Sequence, residues 1–304
     1  MKAIVALLLG LALGLALALA PAPAAAQPAQ KDLVIGLYAP SAPFSGPAQR
    51  LEFVRALANH VAAQTGRKVT GRVFASGGQL SSAIKSGDVQ FAVVDAPYAA
   101  AIGLPYDVLA SAVRGGSAVV SWQLVAAGGI RSLNDLRGKT VAVPMVGAKA
   151  SAFVSNALLG GEVEAGFFGK IVEAPDALSA ATMVGAGRAQ AALVPSGFEL
   201  PGGTRAVLTV ASVGWPMFAA APAVDRATSD RVGAAVRTFS ASGPFTGFAS
   251  ADAGRYRSIE LSRPSKKGPM AVPPPARLNV RDLLEGRTYT PQLTDVLALV
   301  SAEP

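Results

Sequence analysis

Residues 132–156 read SLNDLRGKTVAVPMVGAKASAFVSN, and this stretch predicts an α/β fold. Ser132 is a favourable N-cap, so a short helix is expected to begin there and to end at Gly138, which supplies a left-handed C-cap. The apolar run TVAV at 140–143 has the length of a buried strand. Residues 149–159 then have the apolar spacing of a second helix.

The loop between this strand and the second helix is a candidate anion site. It contains Pro144, Gly147 and other small residues. A strand that passes through such a loop into a helix directs free backbone N–H groups at one point, and this arrangement attracts anions. Lys149 would add a positive charge at the same place. An ordinary connection in an open sheet is the alternative interpretation.

The N-terminus has the pattern of a secretory signal peptide. Lys2 precedes an unbroken apolar run over residues 4–20, and Ala24, Ala25 and Ala26 fit the small-residue rule for cleavage before Gln27. A retained transmembrane anchor is the alternative, because the run is about as long as the shortest bilayer spans. We expect residues 1–26 to be removed. The chain has no cysteine, which excludes a lipoprotein anchor.

Composition narrows the classes of function. The chain has 27 Lys and Arg against 19 Asp and Glu, a net charge of +8. The basic residues are scattered and only 6% of residues are aromatic, so we do not expect nucleic-acid binding. The absence of cysteine removes disulfides, thiol nucleophiles and thiolate metal sites. A basic exported protein with dispersed charge favours anionic ligands.

Alternating strand and helix patterns continue along the chain. Strands are predicted at 32–37, 68–74, 89–95, 108–113, 119–127, 168–173 and 205–213, and helices at 51–64, 80–86, 175–185 and 228–240, with a helix or turn at 98–103.

Two segments resemble each other and indicate two similar lobes. Residues 84–95 align with 184–195, both reading helix, glycine and buried strand. Residues 33–41 resemble 140–148 as strand, proline and small-residue loop. Chance similarity in a chain rich in Ala, Gly and Val is the alternative.

Four motifs together resemble a known family. They are QTGRKV at 64–69, GDVQFAVVDAPY at 87–98, SLNDLRGKTVAV at 132–143 and the helix–Gly–strand unit ending at 187–194. In this order they resemble the type 2 periplasmic substrate-binding proteins, in particular the phosphate/phosphite/phosphonate-type binding proteins of ABC transporters. The resemblance covers residues 33–256.

The resemblance implies a two-lobed α/β fold of the periplasmic-binding-protein type 2, with two hinge crossover strands near 118–127 and 205–213. Residues 27–120 and 210–304 would form lobe 1, including a C-terminal extension, and residues 121–209 would form lobe 2. The lobes would close on a ligand in the cleft between them.

The family's ligand contacts come from the first loop, from the end of the helix–Gly–strand unit and from the start of the second-lobe helix. The matching positions here are Ser41, Phe44, Asp95, Tyr98, Lys149, Ser151 and, after the second such unit, Ser196. Phosphonate binders carry a Ser/Thr-rich cluster at the second-lobe helix, whereas residues 145–151 are more apolar here. Asp95 would also repel an anion. These departures favour a bulkier ligand or one of mixed character.

The resemblance implies an extracytoplasmic solute-binding protein in the periplasm. Its partners would be a small, anionic ligand and the permease of an ABC transporter, and it would be a monomer without cofactor or metal. A ligand-sensing protein that feeds a membrane receptor is an alternative. An exported enzyme is a further one, although His60 is the single histidine and no G-x-S-x-G motif accompanies it.

Overall fold

The computed structural model describes residues 31–102, 106–147, 149–164, 166–197, 199–241, 243–252, 256 and 259. These residues form two β-sheets with helices packed on them, which confirms the two-lobed α/β fold. The strands are β1 (Leu33–Tyr38), β2 (Val69–Val73), β3 (Phe91–Val94), β4 (Asp107–Val113), β5 (Val119–Ala127), β6 (Thr140–Pro144), β7 (Lys170–Ala174), β8 (Ala191–Pro195), β9 (Thr204–Gly214), β10 (Met217–Ala220) and β11 (Gly247–Ser250). The helices are α1 (Pro47–Thr65), α2 (Gly77–Lys85), α3 (Ala96–Ile102), α4 (Ala150–Ala152), α5 (Ala177–Gly185) and α6 (Arg226–Arg237), with a 3-10 helix at Leu133–Leu136 and a π-helix at Phe153–Leu158.

The first lobe is built on a six-stranded sheet in the order β11-β4-β10-β3-β1-β2. β1 pairs in parallel with β2 and β3, and β10 lies antiparallel between β3 and β4. The central strand β3 reads FAVV and is buried throughout, as expected for a strand covered on both faces. Gly71 allows α1 to pack closely on β2, because a Cβ there would lie 2.5 Å from the carbonyl oxygen of Val54.

The second lobe is built on a five-stranded sheet in the order β7-β6-β8-β5-β9. β6 is parallel to β7 and β8, and Val141, Ala142 and Val143 in it are fully buried. The helix expected at Ser132 is a 3-10 turn. Its start is held by Asp135, whose Oδ2 accepts the N–H groups of Arg131 and Ser132 at 2.8 and 2.9 Å.

The chain passes between the two sheets twice in its described part, from β4 to β5 and from β9 to β10. The two crossings are neighbours: the Trp215 N–H donates to the Ala118 carbonyl at 3.0 Å, and the Ala112 N–H donates to the Pro216 carbonyl at 2.9 Å. β5 and β9 are the predicted crossover strands, and they pair with each other along their length. The predicted lobe boundaries at 120/121 and 209/210 fall inside these two strands and stay a prediction.

Some elements differ from expectation. Helix is confirmed after residue 149, but it becomes a π-helix at Phe153, where the N–H of Leu159 donates to Val154 five residues earlier. The wider turn places Phe153 and Leu158 on one side, and both are buried. Strands β10 and β11 are not among the predicted elements. The predicted leader at 1–26 lies outside the described residues. None of the described helices combines the length and apolar character that a membrane span needs.

Candidate functional site

Asp95 lies at the carboxyl end of β3, beside the end of the parallel strand β1. Its Oδ2 accepts the backbone N–H of Ser41 at 2.6 Å, which closes the loop after β1 onto β3. Asp95 has no exposed surface, and its Oδ1 has no hydrogen-bond partner. Burial raises the pKa of Asp95 to about 7, against the opposing effects of the Ser41 hydrogen bond and the Arg50 charge.

Tyr38 lies close to this carboxylate, and Tyr98 and Tyr106 follow it in a connected group of tyrosines. The rings of Tyr38 and Tyr98 meet edge to face at 4.7 Å, and the Tyr98 hydroxyl lies 3.2 Å from the Ser81 hydroxyl. The Tyr98 ring occupies the space of an absent side chain at Gly77, where a Cβ would lie 2.0 Å from it. Burial raises the pKa of Tyr38, and the charge of Asp95 raises it further. Burial also raises the pKa of Tyr106, whose hydroxyl is buried without a hydrogen-bond partner.

The loop after β6 is the predicted anion site of the second lobe. Its backbone N–H groups at Val146 and Gly147 both donate to Oε1 of Glu173, each at 2.7 Å. Glu173 comes from the neighbouring strand β7, so a carboxylate of the chain itself fills the position expected for an anion. Lys149 is exposed beside this loop. An anion that used these two amides would have to displace Glu173.

Direct contacts join the two lobes across the cleft. Nη2 of Arg50 in α1 lies 2.7 Å from Oδ2 of Asp176, which is the N-cap of α5 in the second lobe. The N–H of Ala177 donates to the carbonyl of Pro40 at 3.0 Å. Although burial alone would raise it, the hydrogen bonds from Ser179 and the ion pair with Arg50 lower the pKa of Asp176. We call this set of contacts the interlobe latch.

A cavity of about 780 Å³ lies between the lobes next to the β4–β5 crossing. The loop after β1 and the start of α1 form one wall through Phe44 and Gln49, and α5 contributes Leu178. Gly197 follows β8 on the opposite side, and Arg114 from the crossing itself contributes to the lining. We call it the hinge cavity.

The predicted site residues fall into three places. Ser41, Asp95 and Tyr98 belong to the buried group under the cleft. Phe44 lines the hinge cavity, and Ser196 precedes Gly197 at its edge, with its N–H bound to the Ser121 carbonyl at 2.8 Å. Lys149 and Ser151 are exposed beyond β6. The assignment of these seven residues to ligand binding stays a prediction.

Four residues that the sequence reasoning missed have a clear place in the cleft: Arg50, Arg114, Glu173 and Asp176. Asp176 carries a local signal, since an Asp before an amphipathic run is a helix N-cap. Arg50, Arg114 and Glu173 contact residues that are distant in sequence, so no local pattern marks them. No group of three or more acidic or histidine side chains is placed to hold a metal ion within the described part of the chain.

Comparison with known proteins identifies the family. Residues 41–256 match the family model described as "ABC transporter, phosphonate, periplasmic substrate-binding protein". None of the curated proteins compared with the chain matches it.

Solved structures share the fold at low sequence identity. PhnD1 from Prochlorococcus marinus, in complex with methylphosphonate, is 12% identical with a TM-score of 0.60, covering 75% of this chain and 96% of that one. XAC2383 from Xanthomonas citri, bound to chloride ion, is 18% identical with a TM-score of 0.59, and the match covers 75% of this chain and 95% of that one. The binding-protein component of an ABC phosphonate transporter (PA3383) from Pseudomonas aeruginosa is 13% identical with a TM-score of 0.59, covering 75% and 83%.

The family match spans more than two thirds of the chain, and it covers every strand after β1 and both crossings between the sheets. The chain belongs to the family of periplasmic substrate-binding proteins of ABC phosphonate transporters.

Proposed function

We propose that this chain captures a small organic anion between its two lobes by hinge closure and presents the closed form to an ABC transporter permease. The observation that supports this most is the latch beside a narrow hinge. Two neighbouring crossings connect the sheets, while Arg50 and Asp176 meet across the cleft. Domains joined in this way move as bodies about a few residues.

The energetics of the latch fit a reversible closure. The Arg50 and Asp176 side chains are 18% and 16% exposed, so their ion pair is partly shielded from water. Such a contact contributes about 1–2 kcal/mol, which is within the range that a ligand's differential affinity can overcome or reinforce. A ligand that touches both lobes would therefore shift the population toward the closed form.

The predicted export and partners fit the same function. Residues 1–26 would be cleaved before Gln27, and the mature protein would lie free in the periplasm because it has no cysteine for a lipid anchor. We expect a monomer that binds no nucleic acid. A binding role is supported by the position of the single histidine of the chain, because Nε2 of His60 lies 3.0 Å from both the Ala235 carbonyl and the Thr238 hydroxyl and so takes part in contacts with α6.

Energy transfer between two dyes tests this function in the mature chain. Because the chain is free of cysteine, Gln64→Cys in α1 and Thr182→Cys in α5 give one label in each lobe at exposed positions. We expect transfer to rise on titration with methylphosphonate or phenylphosphonate, with neither anion chemically changed afterwards by mass spectrometry. The proposal fails if neither these two anions, inorganic phosphate nor a concentrated periplasmic extract moves the signal.

A further inference from the structure

Arg114 lies at the wall of the hinge cavity, and its guanidinium has no side-chain partner in the part of the chain that the structure describes. It is partly buried, and its Nη1 is fully enclosed yet makes no hydrogen bond. Its guanidinium has no carboxylate within ion-pair distance among the residues that the structure describes. Buried donors in native proteins are almost always satisfied, and a charged one left alone costs about 1–3 kcal/mol or more. An unpaired arginine in this position therefore requires an acceptor.

The surrounding backbone makes room for this guanidinium. Gly197 has a φ of +97°, and a Cβ placed on it would lie 2.9 Å from Nη1 of Arg114. Any other residue at 197 would be strained and would also push the guanidinium aside. Arg114 itself is fixed at the crossing, because its backbone forms an isolated bridge with Ser117.

The rest of the cavity wall is mainly apolar. Phe44, Leu178 and Leu200 line it together with prolines, while Ser45 and Gln49 supply neutral polar groups. Leu178 is 37% exposed, which makes it one of three large hydrophobic side chains that the described chain leaves open to solvent. Glu199 is the acidic residue of the lining, and it is exposed, so solvent screens its charge.

We propose that the hinge cavity is a ligand site for an organic anion with an apolar body, and that Arg114 binds the anionic group. This inference rests on the proposed function and names the site and ligand class for it. The guanidinium offers paired N–H donors that match a carboxylate, sulfonate or phosphonate. A volume of about 780 Å³ suits a ring or branched chain attached to that group and is far larger than methylphosphonate requires.

The position of Arg114 links binding to closure. The cavity takes walls from both lobes, and Arg114 belongs to the segment that connects them. An anion held there would contact the hinge and both lobes at once, so it would favour the closed arrangement over any open one.

Calorimetry with matched probes tests the site. Phenylphosphonate has the charge and the apolar body, methylphosphonate has the charge alone, and benzyl alcohol has the body alone. We expect the mature wild-type protein to bind phenylphosphonate at least tenfold more tightly than either other probe. Arg114→Met should weaken the binding of phenylphosphonate about 10- to 100-fold, and Arg114→Lys should weaken it less. The exposed control Arg188→Met should leave the affinity for phenylphosphonate unchanged.

Leu178→Asp keeps the test valid if Arg114→Met does not fold. Leu178 is the second residue of α5, where an acidic residue suits the helix dipole, so this variant should fold while its carboxylate repels an anion. We expect at least tenfold weaker phenylphosphonate binding. Equal affinity for methylphosphonate and phenylphosphonate, or unchanged affinity in either variant, overturns the hinge-cavity site. The dye-transfer experiment tests the proposed function separately. Closure of the lobes on methylphosphonate would support that function whether or not the hinge cavity is the ligand site.

Discussion

At the scale of single residues, Asp95 stands out by its burial. It is the only acidic side chain that is completely buried in the described part of the chain, and one of its two oxygens has no partner. A carboxylate in this position holds the loop after β1 through the Ser41 N–H, but its charge is poorly solvated. The hydrogen bond from the Ser41 N–H therefore fixes the loop, while the burial of the carboxylate destabilises the fold by an amount that depends on pH.

The sign of that dependence follows from the pKa of Asp95, which burial raises from 3.8 to about 7. Between these values the folded chain holds a proton that the unfolded chain has released, so the free energy of unfolding falls as the pH rises. Below pH 4 and above pH 7 the contribution of Asp95 is flat. Each pKa unit corresponds to about 1.4 kcal/mol, so the loss is on the order of a few kcal/mol.

Asp95→Asn should remove this loss, because the amide keeps an oxygen for the Ser41 N–H and carries no charge. Urea unfolding at pH 5 and pH 8 would measure it: we expect wild type to lose stability relative to Asp95→Asn between the two. The lowered pKa of Asp176 has the opposite effect, but it is common to both proteins and cancels. If the free energy of unfolding of wild type and of Asp95→Asn changed equally between pH 5 and pH 8, the raised pKa of Asp95 would be contradicted.

The sequence predicted part of this group of residues. Asp95 and Tyr98 follow a recognisable buried strand, and Ser41 follows another. Their contact depends on the pairing of β1 with β3, which places residues 54 apart in the chain side by side. The unpaired state of Asp95 and Arg114 could not be predicted, because it depends on which distant groups fail to reach them.

At the scale of elements, the loop after β6 is held by its neighbour β7. Oε1 of Glu173 accepts hydrogen bonds from two successive backbone N–H groups, at Val146 and Gly147. It satisfies the two donors that a bound anion would otherwise satisfy. Because Glu173 is exposed, we assign the pair of bonds only about 1 kcal/mol. This loop connects a buried strand to the π-helical segment and lies at the cleft.

Glu173→Ala should therefore loosen the loop without unfolding the lobe. We expect the amide hydrogens of Val146 and Gly147 to exchange about fivefold faster or more, with an intermediate effect in Glu173→Gln, which keeps an acceptor oxygen. Native-state hydrogen exchange resolved by NMR gives the measurement. Amides in β8 serve as the internal control, and unaltered exchange at both loop positions would show that Glu173 is not their acceptor in solution.

Periodicity predicted the regular elements where the pattern was long or the strand was bounded by turns. α1 was found from its apolar stripe and β6 from its compact run, and both are confirmed. β10 was missed because its four residues, MFAA, are buried on both faces and show no alternation, while Trp215 and Pro216 suggested only a turn. The change from α- to π-helix at Phe153 has no local sequence pattern, and the Phe153 ring there packs against Trp122 with a centroid distance of 5.2 Å.

At the scale of the whole molecule, polar contacts join the two lobes in addition to buried apolar side chains that extend from one sheet to the other. The latch joins α1 of the first lobe to the N-terminus of α5 in the second, through residues 126 apart in the chain. The aromatic cluster around Phe53 and Phe245 packs within the first lobe, so it stabilises that lobe without fixing the angle between the two. The equilibrium between open and closed forms should thus respond to single latch substitutions.

Arg50→Met should shift this equilibrium toward the open form while both lobes stay folded. Losing a partly buried, charge-assisted contact of about 1–2 kcal/mol changes the ratio of closed to open molecules about 5- to 30-fold. Asp176→Asn should act in the same direction, since asparagine still caps α5 but cannot pair with arginine. Dye transfer between positions 64 and 182 measures the shift, and the affinity for phenylphosphonate should fall by up to the same factor, because it follows the fraction of closed molecules. Arg55→Met, on the exposed face of the same helix, is the matched control. If Arg50→Met and Arg55→Met give the same transfer and the same affinity, the latch does not govern closure.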